Sequence, residues 1–575
     1  MTSQIPDSFH HDESVVGTAA NGARGHVDLI AHTERLEQRL WAVGDNVWCF
    51  VGNGLSNQTF VRGPEGLIAI DSGECVEEMR AAIAAVREVC ADPIVAAIYT
   101  HFHYVHGTAA IAEESGDDVP IWGHDGIVGN LKRIGADLSA AADRGLVHQF
   151  GITLPQEGED ALVNVGLGLS FRGAGHAPFT PGFIEPTNTF DAPTAATIAG
   201  LTVEMTPAPS DADDSINIWF PELGVCVNNI VWPTLFNVFA IRGEEYRDPR
   251  ILLEGIDHIR GLEPEHLVCA HGPPMSGAGE IAQSVTRYRD SIQFMWDQTV
   301  RGINRGLSLS ELTEAVQMPS MYSDDWKTRQ YYGVVEHHVK QIHAGLRGWF
   351  DGDEANLFPV PTASRANRLI EGFGGAEEVR RQADAATESG DLRWALELAT
   401  WLIRFEFGAD GRADAGTDSD RRRVADILRS IGQRSTSSNV RDWCLSRALE
   451  LEGSLDMARF RVHRFRQHLV AEDPVTYTHA LRLLLNPDTA TEVDTTISFS
   501  FGDDLNTGLH VRNHVAAITD GVGADVRLST TPAAWAKVLG GKMSLTDAIA
   551  SGQVETNDPS ATFAVFSCFD HAAMG

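Results

Sequence analysis

Three histidines, His101, His103 and His106, fall within six residues of the stretch Thr100 to Gly107, directly behind the apolar run Ile94 to Ile98. Neutral imidazole is the commonest protein ligand for zinc and related ions. His101 and His103 are two residues apart, so in an extended segment their side chains leave the same face. His106 lies near the first turn of the helix expected after Gly107 and approaches from the side. Burying three imidazoles without partners would cost each its hydration, which favours a shared ion over three unrelated rings. A metal site is the first expectation. Val105 qualifies it, because it stands where a second metal would take an oxygen donor.

Further ligands must come from distant sequence. His271 follows the apolar strand Leu267 to Ala270 and precedes Gly272-Pro273-Pro274, a sharp turn that would present the imidazole at the same edge. The acidic run Asp211, Asp213 and Asp214 precedes the strand Ile216 to Phe220; it either lends one carboxylate to the ion or forms a solvated turn. Asp71, at the end of the strand Leu67 to Ile70, is read as a supporting residue.

The elements that must position these groups are legible from periodicity. Val47 to Val51, Gln58 to Arg62 and Leu67 to Ile70 are short strands separated by Gly-rich turns. Val76 to Val89 has helical spacing, and Ile94 to Tyr99 returns as a buried strand. The alternation recurs between Leu201 and Ala270, with strands at Ile216 to Phe220, Gly224 to Asn228 and Leu267 to Ala270 and a helix at Ile251 to Ile259. Strands flanked by helices in two halves imply an α/β sandwich with loops gathered at one edge. From about Ile281 the spacing predicts long helices over Ser284 to Arg305, Tyr331 to Trp349 and Ala376 to Phe405. Gly408 to Asp420 reads as an exposed loop. Strands return at Thr496 to Gly502, Thr507 to Val511, Asn513 to Ile518 and Val526 to Ser529, followed by helices from Pro532 and Ser544. The first thirty residues read as a loose arm.

Composition excludes several classes. With 45 Lys and Arg against 79 Asp and Glu, the 575-residue chain carries a formal charge of −34. Phosphate neutralisation needs a basic face, so no nucleic-acid partner is expected. No apolar stretch approaches the roughly 20 residues that span a bilayer. The 7 cysteines are scattered and odd in number, which suggests reduced thiols in a cytoplasmic protein. An anionic substrate would need a local cation to overcome the field of such an acidic chain.

The His-x-His-x-x-His order after a strand, Asp71-Ser72-Gly73 before it and the isolated His271 together resemble the metallo-β-lactamase fold. More narrowly, Ser56 to Phe60, Asn237 to Gly243, Asp297 to Thr299, Tyr331 to Gly333 and Trp349 to Gly352 resemble the bacterial alkyl sulfatases of that superfamily. The likeness runs from about residue 33 over nearly the whole chain. It implies an α/β, αββα metallo-β-lactamase sandwich over residues 33–283, preceded by an N-terminal arm, 1–32. A helical dimerisation domain over 284–452 and an α+β, sterol-carrier-protein-like domain over 453–575 would follow, in a homodimer.

Family members carry two zinc ions, bound through Thr-His-x-His-x-Asp-His and two glutamates. Here the aspartate position is Val105, the first glutamate falls near Asp211, and the second falls on Asn229. The resemblance therefore implies His101, His103, His106, Asp211 and His271 as metal ligands, with one ion held and the second site impaired, because neutral donors hold two adjacent dications poorly. Zinc is expected and iron is the alternative. Arg242 and Asn237 match positions near the family's sulfate group, and a guanidinium can clamp a sulfate in two-pronged fashion; Arg242 can equally form an ion pair with Glu244 or Glu245. Trp219, Trp232, Leu235, Phe236 and Phe239 either wall a channel for an apolar body or form plain core.

The favoured function is a metal-dependent hydrolase of alkyl sulfate or related esters of apolar alcohols, using a metal-activated water. The alternatives are an iron-dependent oxidation, a lyase or dehydratase reaction on a hydrophobic small molecule, or a non-catalytic carrier of apolar ligands.

Overall fold

A computed structural model describes residues 5–406, 414–502 and 505–574. The chain divides into two compact units, one formed by residues 1–128 and 145–457, the other by 129–144 and 458–575.

In the first unit a short antiparallel hairpin, β1 (Val16–Thr18) and β2 (Arg24–His26), precedes two sheets. The first has seven strands in sequence order: β3 (Arg39–Val43), β4 (Val47–Val51), β5 (Gln58–Gly63), β6 (Gly66–Ile70), β7 (Ile94–Ile98), β8 (Ile121–His124) and β9 (Asn188–Phe190). It begins as an antiparallel meander and turns parallel from β6 onward. The second has six, also in order: β10 (Thr194–Ile198), β11 (Leu201–Pro207), β12 (Ile216–Phe220), β13 (Val225–Asn228), β14 (His266–Cys269) and β15 (Met275–Ser276).

The two sheets share a core in which Val47, Val61, Ile68, Ile70 and Ile98 meet Val203, Met205, Ile218, Val227 and Val268. β6 is buried throughout and β7 nearly so, the signature of parallel strands covered on both faces. The helix Val76–Arg87 buries Met79, Ile83 and Val86. The helix Pro249–Leu262 joins a second core with Trp232, Tyr288 and Ile292. Helix, two sheets and helix make the αββα sandwich.

Topology places the chemistry. β6, β7, β13 and β14 end, and the antiparallel β12 begins, at edges that the hydrogen bonds draw together. The Ile216 amide donates to the Thr100 carbonyl (3.0 Å) across the two sheets. Gly107 brings two of these loops into contact, since a Cβ there would lie 2.0 Å from the Ser72 carbonyl oxygen.

Several expectations need correction. The N-terminal segment is not loose. Leu29 and His32 are fully buried, and Arg441 donates to the Arg24 carbonyl (2.8 Å), so the backbone is satisfied by the helical part. The helix expected over Ala376 to Phe405 is two, Ala376–Glu388 and Leu392–Arg404, separated at Gly390 with φ +82°. The helix after Tyr331 starts only at Val335, because Tyr331 and Tyr332 use their carbonyls on Ser438 and Asn439. The loop expected over 408–420 lies partly outside the described residues, and a helix begins at Asp418.

In the second unit a five-stranded sheet in the order β18, β17, β16, β19, β20 is built from β16 (Thr495–Ser500), β17 (Asn506–Arg512), β18 (Val515–Thr519), β19 (Val526–Thr530) and β20 (Val554–Thr556). It packs Phe499, Trp535 and Phe566 in its core.

Candidate metal centre

His101 Nε2, His103 Nδ1 and a carboxylate oxygen of Asp211 converge, all within 4.8 Å of one another. The separations are 3.1 Å from His101 to His103, 3.1 Å from His103 to Asp211 and 3.5 Å from His101 to Asp211. Ligand bonds of about 2.0–2.1 Å in a tetrahedron give edges of about 3.3 Å, so these three donors fit one first-row dication.

The tautomer of His101 is fixed from behind. The Thr100 amide and hydroxyl both donate to Asp71 (2.8 and 2.7 Å). The hydroxyl oxygen, its proton committed, therefore accepts from His101 Nδ1 at 2.8 Å, and the Nε2 lone pair faces the cluster, the arrangement expected behind a metal-binding imidazole. Asp71 adopts a left-handed backbone (φ 56°) to reach Thr100. Burial pushes its carboxyl up to about 6 against the pull of His101.

Burial disfavours charge on Asp211, but His101 and His103 more than offset it and hold this carboxyl well below the usual range. The Asn229 amide donates to the other oxygen of Asp211, while Asn229 Oδ1 is buried without a hydrogen-bond partner among the described residues. An anionic ligand between two imidazoles, beside an orphaned amide oxygen, is a donor set short of a cation.

The remaining expected ligands stand apart from this trio. His271 Nδ1 donates to the Leu55 carbonyl (3.0 Å), which leaves Nε2 to accept from the Tyr104 hydroxyl at 3.2 Å. Burial drives His271 down to about 4, so the ring is neutral. Tyr104 thus occupies the space in front of His271. The main chain of His106 pairs with Gly73 and Gly182, and its ring stands edge-on to Phe183 at 6.4 Å. It is not part of the cluster.

A small cavity opens beside His103 and Asp211. Arg242 enters it with Nη2 2.9 Å from Glu244 and 3.4 Å from His103 Nε2. Cation and ion pair therefore coexist, and Arg242 Nε is buried without a hydrogen-bond partner among the described residues. Gly145 permits the approach, because a Cβ there would lie 2.5 Å from the Arg242 carbonyl. Asn237 is fully buried outside the cavity lining. Its carbonyl accepts from Arg247 (2.7 Å), and its amide abuts Gly333.

Of the channel and plain-core readings of this apolar set, plain core holds for most of it. Leu235 and Phe236 are core, with Phe236 stacked on Trp232 at 4.4 Å, and of the five residues proposed only Trp232 reaches the cavity. Leu55 lines it instead, together with Phe150, Leu167 and Phe171 from the segment 145–171. Sequence reasoning missed Tyr104, Glu74 and Arg247. Tyr104 sits inside the histidine motif and Glu74 directly follows Asp71-Ser72-Gly73, so their neighbourhood was the available signal.

Residues 51–227 match the family described as the metallo-β-lactamase superfamily, residues 308–454 match alkyl sulfatase dimerisation and residues 478–574 match the alkyl sulfatase C-terminal family. The chain is 33% identical over 535 residues to a linear primary-alkylsulfatase of a Pseudomonas species, covering 89% of this chain and 98% of that protein. It is 26% identical to an (R)-specific secondary-alkylsulfatase of Pseudomonas, over 87% of this chain and 76% of that one. A double mutant of the sec-alkyl sulfatase PisA1 superposes with a TM-score of 0.83 at 25% identity, covering 95% and 87% of the two chains.

Proposed function

Because the chain belongs to the alkylsulfatase family of the metallo-β-lactamase superfamily, we propose that it hydrolyses alkyl sulfate or related esters of apolar alcohols at a site holding one metal ion. The observation that carries the reading is the convergence of His101, His103 and Asp211 at the wall of a cavity that Arg242 also enters.

His101, His103 and Asp211 would hold the ion, zinc by preference. When bound, such an ion supplies Lewis acidity that lowers the pKa of water to about 7. Arg242 orients the anionic head by charge-assisted hydrogen bonds, and Phe150, Leu167 and Phe171 exclude water from the apolar body. Val105 and Asn229 remove two acidic donors, and the Tyr104 hydroxyl engages His271; these features support a single ion. The dimerisation-family match supports a homodimer. No helix among the described residues is long and apolar enough to cross a membrane, and all seven cysteines are free and buried, in keeping with a cytoplasmic location.

Two histidines and one carboxylate also form the ligand set that suits Fe(II) in oxygen-dependent enzymes, which favours iron chemistry as the second reading. Metal analysis of protein purified without chelator, paired with sulfate release from a long-chain alkyl sulfate, decides. Near-stoichiometric zinc and sulfate release lost in His101→Ala are expected. Stoichiometric iron with no sulfate released at any chain length would replace the first reading by the second.

A further inference from the structure

Glu74 is a buried carboxyl facing the cavity that borders the candidate metal centre. Among the described residues no hydrogen-bond donor reaches it. Its one ion-pair partner, Arg172, stands off at 3.9 Å and is more than a third exposed, held at the rim over the Phe171 ring at 4.9 Å. Glu78 lies behind, its carboxylate accepting from the Glu74 amide (3.2 Å) and from Gln58 (2.9 Å). Gly54 and Gly73 make room for it, since a Cβ at either would collide with that carboxylate.

The same cavity is lined by His103, Asp211, Arg242 and Arg247, with the hydroxyl-bearing rings of Tyr104 and Tyr332. A charged carboxylate in this place, unbonded and backed by a second acid, would repel the very anion that Arg242 attracts. A neutral carboxylic acid would not. It has a proton to give, and burial in a partly enclosed site is what keeps such an acid neutral and able to donate.

We propose that Glu74 is a recognition residue for the anionic head group, which it meets as a neutral acid donating a hydrogen bond alongside Arg242. The identity of the anion as a sulfate ester rests on the function proposed above; the role of Glu74 rests on the cavity. Burial pushes this carboxyl up to about 7 despite the opposing charges of Arg172, Arg242 and His101. Burial and the charge of Glu74 push Glu78 up to about 8. An entering anion raises the affinity of Glu74 for its proton further, so binding and protonation reinforce each other.

The test is calorimetric binding of decane-1-sulfonate, which cannot be hydrolysed, to metal-loaded wild type, Glu74→Gln and Glu74→Ala between about pH 5.5 and about pH 9. For the wild type, affinity is expected to fall as pH rises through neutrality, approaching tenfold per pH unit. Glu74→Gln, a permanent donor of the same shape, should bind within a few-fold of the wild type at low pH and lose that decline. Glu74→Ala should bind about tenfold more weakly at low pH. A Gln variant that keeps the wild-type profile overturns the role of Glu74. A flat wild-type profile does so as well. Absence of sulfonate binding by the wild type at every pH would instead overturn the anion-binding function itself.

Discussion

Arg242 shows how one side chain serves two partners. It pairs with Glu244 at 2.9 Å and stands 3.4 Å from His103, so it is prepaid with a counter-charge yet keeps a buried, unpartnered Nε. Hydrogen bonds to charged groups contribute about 1.5–3 kcal/mol, roughly ten- to hundredfold in binding. Arg242→Ala is therefore expected to raise KM for an alkyl sulfate by that factor, measured by steady-state sulfate release, while leaving metal content unchanged. Tyr104 has the opposite effect: it fills the space before His271. Combining Tyr104→Val, Val105→Asp and Asn229→Glu should restore a vacant, acidic second site and raise bound metal from one to two ions per chain by elemental analysis. An unchanged count would mean that these three residues do not set the stoichiometry.

At the scale of elements, the site is a meeting of loops at strand ends, and its precision depends on how closely those loops pack. Gly107 lies against the Ser72 and Cys75 carbonyl oxygens, which a Cβ would approach to 2.0 and 2.7 Å. These are backbone atoms and cannot swing aside. Gly107→Ala should cost about 2–4 kcal/mol, the range of a severe local clash, visible as a lowered Tm. Because the same loop carries His101 and His103, metal affinity should fall with it. A variant that melts like the wild type and binds metal as tightly would show that the loops have slack.

For the whole molecule, buried neutral histidines set the acid limit. Burial lowers His32 and His271 to about 4, and His338 to about 3. Unfolded, each returns to about 6.5, so the unfolded chain binds more protons below that pH. Their stabilisation is complete above about pH 6.5 and is lost progressively as pH falls towards 4. Thermal melts should accordingly show Tm falling steeply over this window, and His338→Asn should flatten the fall. An ion held by His101, His103 and Asp211 would tie two sheets together. Chelation at neutral pH is expected to lower Tm and abolish sulfate release, both recovering on adding zinc.

The sequence alone determined what local pattern can encode. Apolar patterning marked β4 to β7 and β12 to β14, and three histidines behind a buried strand pointed to a candidate metal site, of which His101 and His103 enter the cluster, because side-chain period and ligand chemistry are properties of neighbouring residues. Helix ends were less legible. Gly390 reads as one glycine in an apolar run until its left-handed backbone is seen, and Tyr331 reads as helical until its carbonyl is found bound to Ser438. Only the tertiary structure decided that Asp211, 108 residues beyond His103, closes the cluster, that Tyr104 faces His271, and that Glu74 lies in the cavity with Arg242. Each of those facts depends on which strand ends lie side by side, and that is fixed by packing two sheets over a shared core, a global choice that no short stretch of residues carries.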